Sequence, residues 1–599
     1  MKTKKNTAFF RIAFYGAALL GLSMVFVSLQ SFERLASWLN IFSGDGQLES
    51  FTVARYQMLK LLLMVLGLIL TILSGAAIVW WGRTQAMIER FFNWSREFGI
   101  FFRQDAQRFF RDLRDVWTRQ SRMDLLMLGG LILAAVVAHL YQLNAQLLAD
   151  EAYTYNAFSS GSLWVTVSDY HLPNNHVLLS ILVNILTHLF GNHVWLIRLP
   201  TMIAGVLMVP VGYLFARRVY GRNVAILSAA GIAVFPILIM YSVWARGYGI
   251  IALTTLLILI LGEYVRTNKN RFAWFLLILF SAAGFYTVPI MLFPFGALYL
   301  WLIASWMIGD TDSYPSKSNF FKYWLASGFA SALLTVFLYA PILINDYDRF
   351  FHNQFVVPLA WDVLPASLTG GLRTMWLDWT STIPGWIIGI GVIGLLASLL
   401  LHKKISRQKI PLQIVFVVWI AALIVIRRPD MNARLWLFMA APILIWSAGG
   451  LVGILEWIAN AVRKDLPVAQ VFVGVIAAFV FIASLALIPQ IPARWSQKSN
   501  IENTVLYLKD HLREGDIVNA STNSLSIIRY YFNVYDIPLD HVRRSGKFQR
   551  AFLAVSRESD SLETLSPVDG SNRPLIDLNT ARIVLEYDGL TVYECYPAP

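Results

Sequence analysis

Asp150 and Glu151 stand side by side in the stretch Leu148-Ala149-Asp150-Glu151-Ala152-Tyr153. A carboxylate can take the proton of an attacking hydroxyl, and does so best when its pKa is lifted toward neutrality. Apolar surroundings and a like-charged neighbour both act in that direction. Two solvated residues at a helix end would look the same, so the pair alone is a weak motif. The loop that follows adds side chains that stack on sugars and bind hydroxyls: Tyr153, Tyr155, Trp164, Tyr170, His171 and His176. It carries no Lys or Arg between Met123 and Ile197. An aromatic belt at a membrane–water boundary would have similar content.

Two further clusters carry isolated arginines. In Tyr241-Ser242-Val243-Trp244-Ala245-Arg246-Gly247-Tyr248-Gly249, an Arg precedes a Tyr set between two glycines. Its planar fork suits a phosphate; an Arg that only reaches lipid headgroups is the plain alternative. In Arg427-Arg428-Pro429-Asp430-Met431-Asn432-Ala433-Arg434, three Arg share one turn. A lipid phosphate or diphosphate would hold them, as would ordinary headgroups. His352 lies with Arg349 and Arg373 in a longer loop over 345–382. Cys595 is the only cysteine, which excludes an intrachain disulfide and a Cys-based metal site.

The elements that must position these residues are membrane spans. Apolar residues make up 57% of 599 positions and charged residues 14%, against about 45–50% and about 25% in an ordinary soluble domain. Lipid must cover that excess. The surplus of 49 Lys+Arg over 36 Asp+Glu sits in short clusters between apolar runs, which argues for membrane orientation and against nucleic acid. Apolar stretches of spanning length fall near 12–29, 58–82, 124–145, 194–216, 223–243, 247–265, 272–288, 290–308, 322–344, 383–401, 410–427, 434–457 and 468–488. With a cytoplasmic N-terminus and 177–190 not crossing, the inner segments carry 27 Lys+Arg and the outer ones 9. Letting 177–190 cross reverses that bias over the later loops, against the positive-inside rule. The loop 146–193 and the tail from 490 are therefore expected outside.

Three regions follow: residues 1–122, with two spans and a basic amphipathic surface helix over 83–122; 123–489, a transmembrane domain; and 490–599, a small α/β domain. The surface helix is read from apolar residues such as Phe91, Phe98, Phe102 and Phe109 recurring among nine Arg. The tail mixes a helical stretch, 500–512, with strand-like runs at 516–519 and 581–585, and with turn residues at 569–572.

At these residues the chain resembles the GT-C superfamily of membrane glycosyltransferases (glycosyltransferase family 39-like). The closer likeness is to the bacterial branch related to protein O-mannosyltransferases and lipid A aminoarabinose transferases. Asp150-Glu151 matches the acidic pair of that family's first outer loop. His171-Leu172-Pro173-Asn174-Asn175-His176 loosely matches its His-Pro element, with Leu172 inserted. Arg198-Leu199-Pro200, the basic turn Ala216 to Arg222, and Tyr241 to Tyr248 follow in the family's order over about 124–310.

The resemblance implies a mainly α, polytopic bundle with juxtamembrane helices in its outer loops, in the inner (plasma) membrane. It implies a polyprenyl-phosphate-linked sugar donor, a lipid, glycan or protein acceptor, and inversion by direct displacement. Asp150 and Glu151 would be catalytic, with Asp150 as base. Arg246, Tyr248 and Arg434 would face the donor phosphate. Tyr153, His171, His176 and His352 would line the sugar or acceptor side. A divalent cation would find only the first-loop carboxylates as anchors, so no cofactor and metal-independent catalysis are expected.

Two other classes would use parts of this pattern. A polysaccharide polymerase or O-antigen ligase would centre on 345–382 and take a diphosphate-linked glycan. A flippase would need ionisable residues inside the spans, where few occur.

Overall fold

The computed structural model describes residues 2–40, 53–143, 147–311, 314–353, 357–461, 474, 500–542, 548–556, 561–565, 576–587 and 589–598. It divides into two compact units, Met1–Gln107 and Arg108–Pro599. The division falls inside the single helix Trp81–Thr118, which covers most of the basic segment expected at a membrane surface. The tail after residue 490 does not separate as a unit of its own.

In the first unit, helices Lys2–Ser28 and Val53–Val79 pack side by side. They run antiparallel: Tyr56 Oη donates to the Gln30 carbonyl at 2.8 Å, and Phe14 meets Trp81 at the other end. Gly21 and Gly67 permit the approach, since a Cβ on either would lie 2.8 or 2.7 Å from the other's carbonyl oxygen. Close packing of small residues is how helices associate where lipid removes the hydrophobic drive.

The second unit is a helical bundle. Over both units, eight helices among the described residues are long and apolar enough to cross a membrane, or ten if each of two bent pairs counts as one span. The first bent pair, Arg222–Val234 and Pro236–Val243, turns by 54°. Pro236 pushes Phe235 out of the helical region and lacks the N–H to continue the ladder. The second, Leu364–Thr380 and Gly385–Leu400, turns by 116° at a break that contains Pro384.

Arg271–Thr287 and Leu412–Arg427 are shorter apolar helices at two of the expected spans. Of the expected span 468–488 only residue 474 is described, and the turn 569–572 lies outside the described residues. Val177–Phe190 is a helix of 14 residues. At about 1.5 Å per residue it reaches roughly 21 Å, short of the roughly 30 Å hydrocarbon layer. That length agrees with a segment that does not cross.

Tyr248–Thr267 is the central helix and is buried along nearly its whole length. Its first residue belongs to the Arg246 turn. Its last turns carry Glu263 and Arg266, which with Asp310 form a buried charge cluster. Fifteen residues separate Tyr248 from Glu263, so the two sites lie roughly 22 Å apart along the axis. Gly385–Leu400 and Ala440–Ala461 meet through Gly394 and Gly450, each facing backbone of the other helix where a Cβ has no room. Gly450→Ala is therefore expected to cost about 1–3 kcal/mol as overpacking; a melting temperature unchanged in detergent would refute it.

The tail forms a four-stranded sheet, β1 (Ile517–Ala520), β2 (Ala551–Ser556), β3 (Ile576–Tyr587) and β4 (Leu590–Pro597), in the order β1-β2-β4-β3. β1 runs parallel to β2, and the other pairs are antiparallel. Both expected strand runs lie in it, in β1 and β3. Arg550 anchors the β2 end by reaching Asp516 and Glu594. Helix Thr522–Val534 leaves the sheet and packs onto the first loop. There Asn156 Nδ2 donates to the Ser526 carbonyl at 2.9 Å, and buried Tyr530 meets Tyr155 edge-on at 5.3 Å.

Candidate active site

The first loop begins with the short helix Ala149–Thr154 and continues as a π-helical turn, Tyr155–Ser159. Glu151 fixes the start of this helix by accepting from the Leu148 N–H at 2.9 Å. It also accepts from Arg198 Nε and Nη2, at 2.9 and 2.7 Å, and from the Ala245 N–H at 2.6 Å. Both members of the ion pair are 0% exposed. Arg198 Nη1 reaches the Leu143 carbonyl at the end of the preceding helix. Glu151, expected to be catalytic, thus has its acceptor capacity filled by protein donors and no access to solvent. Burial of this charge is tolerable because every lone-pair direction meets a donor. Its place is that of a pin between the first loop, helix Val194–Val219 and the Arg246 turn.

Asp150 points the other way. Its side chain is 48% exposed, with Arg434 Nη1 at 3.0 Å and Arg246 Nη2 at 3.9 Å. Arg246 is buried and held by the protein: Nη1 donates to Thr154 Oγ1 at 3.0 Å and Nη2 to Asn174 Oδ1 at 2.7 Å. Among the described residues its buried Nε has no hydrogen-bond partner. Arg434, 40% exposed, stands over the Tyr248 ring at 6.0 Å, and Arg246 over the same ring at 5.9 Å. Two guanidiniums against one open carboxylate leave a net positive site with an unspent N–H, a setting that suits a phosphate.

His176 backs this cluster. Its Nδ1 accepts from the Gly247 N–H at 2.7 Å, and its ring meets Tyr248 edge-on at 5.2 Å. Burial, then the Arg246 and Arg434 charges, hold its pKa well below the usual histidine value. A neutral ring whose Nδ1 is already an acceptor can orient the Arg246 turn. It does not offer a proton at neutral pH.

Tyr153 and His171 meet farther along the loop: the Tyr153 hydroxyl lies 2.8 Å from His171 Nε2, and His171 Nδ1 lies 2.6 Å from Asp169. Burial, and the Asp169 charge after it, push the Tyr153 hydroxyl pKa up.

The structure therefore gathers Asp150, Arg246, Tyr248, Arg434 and His176, and puts Tyr153 with His171. His352 is not joined to them. It is exposed after the short helix Tyr347–Phe351, with no side-chain hydrogen bond or ion pair to a described residue. Of the three arginines sharing the 427–434 turn, only Arg434 enters the site. Arg428, in a left-handed conformation with φ of 45°, stacks on Trp361 at 5.0 Å, and Arg427 is exposed.

Arg198, Asn174, Thr154 and Asp169 are site residues to which sequence reasoning gave no role. Arg198 had a signal, as an Arg in an outer segment where the charge rule disfavours it. Asp169 had none. Among the described residues, no three His, Cys, Asp or Glu side chains come together as a metal site would require.

Residues 176–315 match the family model described as dolichyl-phosphate-mannose-protein mannosyltransferase. No curated protein matches the chain. Among solved structures, ArnT from Cupriavidus metallidurans, crystallised with undecaprenyl phosphate, is 13% identical with a TM-score of 0.48, over 78% of this chain and 97% of that one. The Archaeoglobus fulgidus oligosaccharyltransferase aligns at 14% identity and a TM-score of 0.41, over 70% of this chain and 60% of its own. The arabinosyltransferase EmbB from Mycobacterium smegmatis aligns at 14% and 0.38, over 74% and 46%. The chain is a polytopic helical membrane protein similar to the GT-C glycosyltransferases of the protein-mannosyltransferase branch, and the matched stretch supplies His176, Arg198, Arg246 and Tyr248.

Proposed function

We propose that the protein transfers a sugar from a polyprenyl-phosphate donor to an acceptor hydroxyl at the extracytoplasmic face of the cell membrane. The observation that carries this reading is the open Asp150 carboxylate beside two arginines, one of which keeps a buried, unpartnered Nε.

In this reading Arg434 swings from Asp150 onto the donor phosphate, and Arg246, fixed by Thr154 and Asn174, receives the same group. As the bond between the anomeric carbon and the phosphate oxygen breaks, negative charge grows on the departing lipid phosphate. Preorganised guanidiniums then interact more strongly with the transition state than with the bound donor. Asp150, released from Arg434, takes the proton of the acceptor hydroxyl as its oxygen attacks the opposite face of that carbon. The result is inversion. A phosphate monoester leaves without a general acid, and the arginines supply the positive charge for which a metal ion would otherwise be recruited.

The placement of the arginines favours a donor phosphate close to Asp150 over a diphosphate glycan seated on 345–382, because neither His352 nor Arg428 joins the site. Arg246→Lys tests the fork. Lys cannot hold Thr154, Asn174 and a phosphate in one plane, so donor affinity is expected to fall about tenfold or more, as a charge-assisted hydrogen bond is lost. Titration of undecaprenyl phosphate onto the purified protein measures it; wild-type affinity would mean that Arg246 only braces the turn.

A further inference from the structure

Asp169, His171 and Tyr153 are linked in series at the edge of the site. Asp169 Oδ1 lies 2.6 Å from His171 Nδ1 and also accepts from the His171 backbone N–H at 3.0 Å. A carboxylate only accepts, so the neutral ring carries its proton on Nδ1. Nε2 is then a bare lone pair, and the Tyr153 hydroxyl 2.8 Å away must donate to it. With that proton committed, the phenolic oxygen has only lone pairs to offer anything else. The carboxylate thereby sets the polarity of a hydroxyl two groups away, as second-shell carboxylates do through metal-bound histidines.

Three further facts bear on where this oxygen lies. Tyr153 stands three residues after Asp150 in helix Ala149–Thr154, and that spacing puts the two side chains on one helix face. His171 and Asp169 are both partly exposed, so the chain opens toward solvent. Phe158 packs on the His171 ring at 5.0 Å and meets Tyr153 at 6.3 Å, which holds both in register. The charged groups that bear on Tyr153 are Asp169 and, from helix Thr522–Val534 of the tail, Arg529.

We propose that Asp169, His171 and Tyr153 form a positioning chain that makes the Tyr153 oxygen a hydrogen-bond acceptor for the acceptor substrate beside Asp150. This rests on the glycosyl-transfer reading. The reacting hydroxyl gives its proton to Asp150, so the group that donates to Tyr153 is a second O–H or N–H close to the first. A sugar diol and an amino alcohol have that pattern, and a serine or threonine in a protein supplies it through its own backbone N–H. The substrate class is therefore an acceptor that carries a donor group next to the reacting hydroxyl, and Tyr153, His171 and Asp169 select it through that second bond.

Nitrogen-15 histidine labelling of the full chain in detergent reads the tautomer directly, with His171→Gln assigning the signal. The expected result at neutral pH is a protonated Nδ1 and a bare Nε2, with Tyr153→Phe shifting the Nε2 resonance and Asp169→Asn changing the tautomer. In membranes containing the protein, label from carbon-14 polyprenyl-phosphate-mannose should pass to an acceptor, recovered in the glycolipid or the protein fraction. Tyr153→Phe and Asp169→Asn should each lower that rate about three- to tenfold, the worth of one hydrogen bond, with undecaprenyl-phosphate affinity unchanged. A protonated Nε2 in the wild type, or wild-type rates in both variants, overturns the proposal. Wild-type transfer in Asp150→Asn strikes instead at the glycosyl-transfer reading and leaves the tautomer result standing.

Discussion

Asp150→Asn is expected to lower sugar transfer by about 10²–10⁴-fold, the usual contribution of a positioned general base. Asn keeps the size of the side chain and one carbonyl oxygen that can still accept from Arg434, but it cannot take a proton. The rest of the site has little reason to move. Asp150 is half exposed, and among the described residues its side chain reaches only Arg434 and, more distantly, Arg246. The helix that carries it is pinned through Glu151. Insertion, thermal stability and donor binding should therefore match the wild type, so that the loss appears in turnover alone. The check is sugar transfer from a polyprenyl-phosphate-linked donor in membranes with matched protein levels, alongside undecaprenyl-phosphate binding. Activity near the wild-type level would remove Asp150 as the base, and with it the proposed direction of attack.

Arg198→Met should give a large loss of stability. It leaves the Glu151 carboxylate fully buried with no cation, and breaking a buried pair on one side costs about 3–5 kcal/mol. Two backbone donors remain, from Leu148 and Ala245, but they do not supply the lost charge. The contrast is Arg119→Met, which breaks an exposed pair with Asp115 and should cost at most about 1 kcal/mol. Thermal unfolding of both variants in one detergent measures the difference. The double variant Glu151→Leu/Arg198→Met should recover part of the stability, because no charge stays buried, though the Leu148 and Ala245 N–H groups are then unpaired. Donor affinity should also fall in Arg198→Met molecules that still fold, since the Glu151 bond to Ala245 N–H sets the turn that carries Arg246. Equal melting of Arg198→Met and Arg119→Met would show that the pair is not a pin.

Much of this organisation is local, and the local part was legible. Apolar runs of spanning length follow from composition alone, and so does the short helix Val177–Phe190, which the charge distribution singled out. The Arg246 turn and the Asp150-Glu151 pair could be picked out because an isolated charge at a span end is costly and so rarely idle. The helix breaks at Pro236 and near Pro384 also rest on local chemistry, the missing N–H of proline.

Other assignments depended on which side chains meet across tens or hundreds of residues. Two adjacent carboxylates look alike in sequence, yet helix Ala149–Thr154 turns Glu151 inward to Arg198 and Asp150 outward to Arg434. His171 and His176, five residues apart, likewise diverge, one toward Asp169 and Tyr153 and the other under Tyr248.

Hydrophobic excess and charge placement are summed along the chain, and they suffice to make this a membrane-embedded helical protein with polar clusters at the ends of its spans. Packing settles which of those polar groups face each other, which of the three arginines of the 427–434 turn enters the site, and that the tail's helix Thr522–Val534 seats on the first loop. The physical reason is that a buried charge is tolerated only where partners converge on it from several elements, and convergence is a property of packing that no single segment encodes.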